Sequence, residues 1–186
     1  LRMKVFDTSE GINFIREESH HHGNHEHEGG VEPHIWNSTT NASIIADNIC
    51  KALCQLDTVN QSYYQERTDS LKQIIVQTDR SIRSFLQKAD STFLIYHPAL
   101  SYFARDYGLK QISIEEGGKE PSPSNLKTLI DTCRREGVRV IFVQQEFDQR
   151  NAQLIASELG IQVIPINPLS YDWQEEMIRL AESLMK

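Results

Sequence analysis

The sequence predicts an α/β protein, and two features of its pattern carry this prediction. From residue 90 onward, short segments rich in β-branched residues alternate with longer segments of helical periodicity, which is typical of a parallel sheet with helical crossovers. Before them, Gln61–Gln87 contains neither Gly nor Pro and largely keeps a helical spacing of apolar residues. At 1.5 Å per residue, this helix would be about 40 Å long. A helix of that length usually spans two bodies of a protein.

The front of the chain contains one predicted strand and one predicted helix. Lys4–Asp7 is predicted to form the short strand. The helix has its N-cap at Ser38, Thr39 or Thr40 and ends near Asp57. Its apolar positions, spaced by three and four residues, predict a buried face made of Ala42, Ile45, Ile49, Ala52 or Leu53, and Leu56.

The C-terminal half predicts a four-stranded parallel sheet with its helices. The predicted strands are Thr92–Tyr96, Gln111–Ile114, Val138–Val143 and Gln162–Ile166. The predicted helices are Ser101–Tyr107, Ser124–Glu136, Asn151–Leu159 and Asp172–Met185. Glycines that suit left-handed C-caps follow three of these helices, at Gly108, Gly137 and Gly160.

Composition limits the classes of function. The 186 residues carry a net charge of -7 and no basic stripe, which argues against a nucleic-acid partner and favours divalent cations. Cys50, Cys54 and Cys133 form no CxxC pair. Cys50 and Cys54, four residues apart on the predicted helix, are predicted to be small buried apolar residues, with Cys133 elsewhere, and a thiolate metal site or a disulfide is the alternative. The sequence contains no GxSxG motif, no paired Cys and His, and no HExxH motif, so it offers no support for nucleophilic catalysis.

Histidine is concentrated in one short tract, and neutral imidazole is a common ligand of zinc. Five of the seven histidines lie between residues 20 and 27, at His20, His21, His22, His25 and His27. Glycine and polar residues surround them, so the tract is predicted to be a loop without a rigid coordination geometry. The preferred interpretation is an accessory, low-affinity metal collector, and an inert solvated loop is the alternative.

Possible ligands also follow each predicted strand of the sheet. In open parallel sheets, ligands bind where the carboxyl ends of the strands meet. The polar residues at those ends are His97 after the first strand, Glu115 and Glu116 after the second, Gln144 to Glu146 after the third, and Asn167 after the fourth. His97 is therefore a candidate metal ligand, although a hydrogen-bonded structural histidine fits the same position.

The remaining histidine lies in Glu32-Pro33-His34-Ile35-Trp36. Pro33 restricts the backbone beside His34, and Trp36 can bury one side of its ring, as a rigid ligand requires. These neighbours favour a metal ligand, and a turn with an aromatic anchor is the alternative.

Several motifs occur in one order along the chain. They are Asp7-Thr8-Ser9-Glu10-Gly11-Ile12, the His-rich tract, Glu32-Pro33-His34-Ile35-Trp36, the long helix with Tyr63-Tyr64, Tyr96-His97-Pro98-Ala99-Leu100-Ser101-Tyr102-Phe103-Ala104-Arg105-Asp106-Tyr107-Gly108-Leu109, Glu120-Pro121-Ser122-Pro123 and Asn167-Pro168-Leu169. In this combination the chain resembles the metal-binding solute receptors of bacterial zinc and manganese ABC importers, and among them the zinc receptors.

The resemblance implies a two-lobe α/β metal-receptor fold whose lobes are joined by a long bridging helix. It implies a remnant of the first lobe at residues 1–58, the bridging helix at 59–89 and a complete second lobe at 90–186. The metal would lie in the cleft between the lobes, bound by His34 and His97. A histidine at the second position, where manganese receptors usually carry Glu, favours zinc over manganese.

The resemblance also implies a binding protein and not an enzyme. Such receptors work outside the cytoplasmic membrane, in the periplasm or attached by a lipid anchor, and deliver the metal to an ABC permease. A metal-dependent hydrolase is an alternative, but the sequence places no general base beside the ligands. A surface adhesin or metal buffer of the same fold is another.

Three departures from the family pattern affect the expected site. First, Asn167 occupies the place of an Asp ligand and offers only an uncharged carbonyl oxygen. Second, Gln144-Gln145-Glu146-Phe147 stands where the family has Glu-Pro-Gln-Phe, which makes Glu146 a candidate substitute ligand. Family members begin with most of the first lobe, including another histidine ligand. This chain is therefore expected to bind zinc more weakly than a full receptor and to self-associate through Lys4–Asp7 and uncovered helix faces.

Overall fold

The computed structural model describes residues 3–16, 30–115, 119, 121–147 and 149–185. Its helices and strands are α1 (Thr39–Leu56), α2 (Gln61–Leu86), β1 (Thr92–Ile95), α3 (Ser101–Tyr107), β2 (Lys110–Ser113), α4 (Pro123–Glu136), β3 (Val140–Gln144), α5 (Arg150–Leu159), β4 (Gln162–Ile166) and α6 (Trp173–Ser183). The predicted α/β class is confirmed, and each element predicted from residue 61 onward lies within two residues of its predicted bounds. No helix in the described ranges is long and apolar enough to cross a membrane.

The four strands form one parallel sheet in the order β2-β1-β3-β4. Side chains alternate between its two faces along the central strands. Phe93, Ile95 and Phe142 belong to a buried cluster with residues of α2, α3 and α6. Leu94 and Ile141 belong to a second cluster with residues of α4 and α5. The sheet is therefore covered by helices on both faces, as parallel sheets require.

The front of the chain differs from its prediction. Lys4–Asp7 forms no strand, so that prediction is wrong, and Met3 and Val5 are 87% and 82% exposed. A strand needs a neighbour for its backbone hydrogen bonds, and the described part of the chain offers this segment none. Residues 3–16 instead run over the protein surface, where Arg105 binds the carbonyl of Asn13 at 2.7 Å.

Helix α1 begins as predicted but buries another face. The hydroxyl of Ser38 caps it by accepting from the Asn41 N–H at 2.9 Å. Its buried positions are Thr39, Asn41, Ala46 and Asn48. Three positions of the predicted buried face are exposed, namely Ile49, Leu53 and Leu56. Hydrogen bonds decide the orientation, because the Asn48 amide donates to the carbonyls of Thr8 and Glu10 at 3.0 and 2.8 Å.

Helix α2 is a 26-residue helix that packs against both α1 and α6. Near its middle, Lys72 forms an ion pair with Asp47 of α1 at 2.7 Å. Near its end, the fully buried Ile82 enters the cluster beneath the sheet. The helix thus connects the front of the chain with the α/β unit, although the division into three segments at residues 58 and 89 stays a prediction.

The cysteines follow their prediction only in part. Cys133 is buried under the sheet, whereas Cys50 and Cys54 are only half-buried on α1. The prediction of burial is therefore wrong for the pair on the helix, because the corner between α1 and α2 covers these side chains only in part. All three are free thiols.

Candidate metal centre

The structure brings together the two histidines that the sequence singled out. The rings of His34 and His97 lie with their centroids 5.2 Å apart and their planes at 74°. With Zn–N bonds of about 2.0–2.1 Å, two imidazoles that bind one tetrahedral ion have centroids about 5 Å apart. Although 63 positions apart in the sequence, the rings therefore have the separation that one shared metal ion requires.

Each ring is oriented by a carboxylate on its Nδ1 atom. Glu32 contacts Nδ1 of His34, and Oε2 of Glu115 lies 2.7 Å from Nδ1 of His97. A carboxylate there accepts from the Nδ1–H tautomer, which leaves the lone pair on Nε2. Both imidazoles are thereby prepared to bind a cation through Nε2.

Glu32 is held by contacts from the α/β unit. Its side chain is 5% exposed, and the Ser101 hydroxyl donates to its carboxylate at 3.3 Å. The Tyr102 hydroxyl donates to its backbone carbonyl at 2.9 Å. Burial raises the pKa of Glu32. Hydrogen bonds from the ring and backbone of His34 and from the Ser101 hydroxyl lower it, so that the net pKa lies below the usual value. The carboxylate therefore stays charged at neutral pH.

The backbone of His97 is held by the third strand. The side-chain amide of Gln144 accepts from the His97 N–H at 3.3 Å and donates to the His97 carbonyl at 2.8 Å. The ring of Phe147 stacks on the imidazole, with centroids 5.6 Å apart and planes at 18°. These contacts hold the backbone and the ring of His97 in place, and its side chain is 33% exposed.

Trp36 connects His34 to the loop after β4. Its indole packs edge-on against the His34 ring, with centroids 5.5 Å apart. The indole N–H donates to the carbonyl of Pro168 at 2.8 Å, and the indole N–H of Trp173 donates to the carbonyl of Trp36 at 3.0 Å. The predicted role of Trp36 beside the imidazole is thus seen in the structure, and the same residue brings the Asn167-Pro168 loop to the His34 motif.

The other two predicted ligands, Asn167 and Glu146, have no described contact with the histidine pair. Asn167 is exposed, and its side-chain oxygen accepts from the N–H of Leu169 at 3.1 Å, so one lone pair of that oxygen is engaged. Glu146 is exposed at the end of β3. Among the described residues, no group of three or more His, Cys, Asp or Glu side chains is arranged to hold a metal ion. Both residues stay predicted ligands, and the tract containing His20 to His27 lies outside the described residues.

Sequence reasoning did not find the orienting residues. In the sequence Glu32 stands out only as part of the motif around His34, and Glu115 only as one of several polar residues at the sheet edge. A sequence signal existed for Glu115, because it directly follows the predicted strand next along the chain from the one that precedes His97. In the structure β1 and β2 pair directly, and the Glu115 N–H donates to the carbonyl of Tyr96, next to His97, at 3.0 Å. The two hydrogen bonds between the Gln144 side chain and the backbone of His97 could not be predicted from the sequence. A glutamine at the end of a strand is common and does not indicate a partner.

The fold and the site define a class of protein. Two imidazoles from distant parts of the chain face one another where an irregular front segment meets the carboxyl end of a parallel sheet, and each is backed by a carboxylate. This arrangement is typical of a protein that holds a transition-metal ion between two parts of its structure.

Comparison with known proteins assigns the family. The chain belongs to the family described as ZnuA, zinc-uptake complex component A periplasmic, whose model matches residues 1–186. It is 31% identical over 149 residues to the high-affinity zinc uptake system protein ZnuA of Bacillus subtilis strain 168, a match that covers 78% of this chain and 47% of that protein. The chain thus spans about half the length of the curated relatives it matches.

Solved structures support the same assignment. A crystal structure of ZnuA is similar with a TM-score of 0.88 and 32% identity, covering 97% of this chain and 68% of that one. The laminin-binding protein Lmb of Streptococcus agalactiae, described as bifunctional with adhesin and metal transporting activity, is similar with a TM-score of 0.82 and 26% identity, covering 96% and 70%. The resemblance to the metal-receptor family is therefore confirmed.

Proposed function

We propose that this chain captures zinc between His34 and His97 and, as part of an extracytoplasmic receptor, delivers it to the permease of an ABC importer. The observation that carries the proposal is the facing pair of imidazoles, whose centroids are 5.2 Å apart and whose Nδ1 atoms contact carboxylates. Imidazole nitrogen is a softer ligand than the oxygen ligands that suit manganese, so zinc is favoured. Membership of the zinc-uptake family supports the receptor role and a location in the periplasm or on a lipid anchor.

The remaining coordination positions are assigned to the sheet edge. Asn167 would offer its second lone pair, and its loop is tied to the His34 motif through the bond from Trp36 to Pro168. Glu146 would offer a carboxylate from the segment whose Phe147 stacks on His97. The tract of His20, His21, His22, His25 and His27 would act as an accessory collector that raises the local metal concentration.

Binding fits this site better than hydrolysis. A catalytic zinc needs a general base that can reach a metal-bound water. The carboxylates nearest to the imidazoles, Glu32 and Glu115, contact Nδ1 and therefore lie on the side of each ring away from the proposed metal. A second function as an adhesin is favoured only by the similarity to the laminin-binding protein Lmb.

Zinc titration against a chromophoric chelator tests the proposal. His34→Ala and His97→Ala should each lower zinc affinity by about 100-fold or more, because losing a ligand costs more than the typical 10–100-fold loss from an outer-sphere partner. The matched control replaces the five tract histidines with Ser, and should lose only weak additional equivalents of zinc. Wild-type affinity in His97→Ala would refute the site.

The same titration assigns the remaining ligands. Asn167→Asp should tighten zinc binding if Asn167 is a ligand, because it adds a charge to an oxygen already in place. Glu146→Gln should weaken binding if Glu146 is a ligand. A residue whose variant leaves zinc affinity unchanged is excluded from the coordination sphere.

A further inference from the structure

Two thiols lie side by side outside the histidine site. Cys50 and Cys54 are one turn apart on α1, a spacing that places their Cβ atoms about 5–6 Å apart on one helix face. The Sγ atom of Cys54 also lies 3.9 Å from the carbonyl oxygen of Gln61, the first residue of α2. Both side chains are half-buried, so the pair is sheltered at the corner between α1 and α2 but open to an entering ion.

The pair is not built for thiol catalysis. Burial raises the pKa of the Cys54 thiol, and the hydrogen bond and charge interaction with Cys50 raise it further. A reactive cysteine needs a neighbouring cation or a helix N-terminus to stabilise its thiolate. The two thiols lie in the second half of α1 instead, and the nearby Asp57 carboxylate accepts from Asn60 and Tyr64 at 2.7 and 2.9 Å.

The available ligands also restrict the metal. Structural zinc takes four protein ligands, and in the described part of the chain no third His, Cys, Asp or Glu joins the two thiols in a metal-binding group. Hard cations select oxygen ligands, whereas thiolates select soft ions such as Cu(I). Two sulfur atoms without further ligands therefore suit a soft ion that is satisfied by two-coordination.

We propose that Cys50 and Cys54 form a second metal site, which binds one soft, two-coordinate monovalent cation of the Cu(I) type. On binding, each thiol releases its proton and each sulfur donates an electron pair to the ion, so two protons leave and no electron is transferred. The site is independent of the histidine pair, because Cys50 lies twelve residues along α1 from the cap at Ser38, about 18 Å at 1.5 Å per residue.

Copper(I) competition on the 186-residue chain tests this site. The reduced chain is titrated under anaerobic conditions against a chromophoric Cu(I) chelator, and ultraviolet thiolate-to-copper absorption and proton release are followed together. We expect one ion per chain with two protons released. Cys50→Ser and Cys54→Ser should each lose about 100-fold or more in affinity, because one coordination position then lacks a thiolate. Cys133→Ala, which removes the buried thiol, is the matched control and should bind like the wild type.

Zinc affinity of the same variants separates this site from the histidine pair. Both Ser variants should keep wild-type zinc affinity, which also shows that they are folded. The proposal is overturned by unchanged copper affinity in either Ser variant, by equal loss in Cys133→Ala, or by one ion shared between two chains in size-exclusion chromatography. A parallel loss of zinc binding in the Ser variants would overturn the independence of the two sites.

Discussion

The two halves of the candidate metal centre are held in different ways. His97 follows β1, whose residues Phe93, Leu94 and Ile95 are fully buried in the sheet. His34 lies in an irregular segment whose backbone pairs with the rest of the chain only through the bridge of Val31 and Arg16 and a few hydrogen bonds, among the described residues. The strand that leads to His97 is thus placed mainly by apolar packing, whereas the segment that carries His34 is placed mainly by polar contacts.

The polar contacts of the front segment are buried and directional. The Asn37 amide donates to the carbonyl of Ala99 at 2.9 Å, and Ser38 binds Asp106. Thr39 binds Asp79 at 3.2 Å, and the hydroxyl of Tyr107 donates to the same carboxylate at 2.9 Å. Apolar burial is non-directional, whereas hydrogen bonds depend steeply on angle and distance. The α/β unit therefore supplies stability, and the front segment supplies the precise position of His34.

Truncation of the sheet core should have the largest effect. Phe142 is fully buried in the central strand β3, and Phe142→Ala should lower the free energy of unfolding by about 3–5 kcal/mol through lost packing and a residual cavity. Denaturant unfolding measures the loss. Leu154→Ala, on the half-exposed face of α5, is the matched control and should change stability by about 0.5 kcal/mol or less. Equal effects would contradict the assignment of stability to the sheet core.

Removal of the orienting carboxylates should have an intermediate effect on metal affinity. Glu32→Gln and Glu115→Gln should each weaken zinc binding by about 10–100-fold, because outer-sphere partners hold a histidine in its ligand tautomer. Isothermal titration with zinc measures the change. Only Glu32→Gln should also lower stability, since its carboxylate accepts from Ser101 as well as from His34. Equal stability losses in the two variants would show that the two carboxylates are held alike.

Neutralisation of Asp79 should have the smallest effect, and it should depend on pH. Burial raises the pKa of Asp79, but hydrogen bonds from Arg83 and Tyr107, the charge of Arg83 and a bond from Thr39 lower it below 3.8. Its contribution is therefore fully present above about pH 3.8 and is lost as the pH falls through the folded pKa. Asp79→Asn should cost about 1 kcal/mol at pH 7.

Chemical denaturation across pH measures the Asp79 contribution. The difference between wild type and Asp79→Asn should shrink as the pH drops below 3.8. Asp69→Asn, an exposed site on the same helix with the same change in charge, should leave stability nearly unchanged at both ends of the range. A constant difference at all pH values would show that the Asp79 carboxylate does not hold α1, α2 and α3 together through its charge.

Sequence reasoning succeeded where local pattern and packing agree. The strands and helices from Gln61 onward are predictable because apolar spacing and the glycine C-caps indicate the same boundaries. The prediction was wrong for the strand at Lys4–Asp7 and for the buried face of α1, where Ile49 is predicted to be buried but is exposed. In both places, burial depends on contacts with residues that are distant in the sequence. The neighbours of Asn48 in the sequence, for example, do not indicate that its amide is buried against Thr8 and Glu10.

The sequence by itself determined the α/β class, the four parallel strands, the long helix and the two histidines His34 and His97, because periodicity, capping residues and motif chemistry are properties of neighbouring residues. Only the tertiary structure decided that these rings face each other at 5.2 Å and that Glu32 and Glu115 contact their Nδ1 atoms. It also decided that Cys50 and Cys54 stay half-exposed on α1. The physical reason is that these distances and exposures depend on directional contacts between segments that are far apart along the chain.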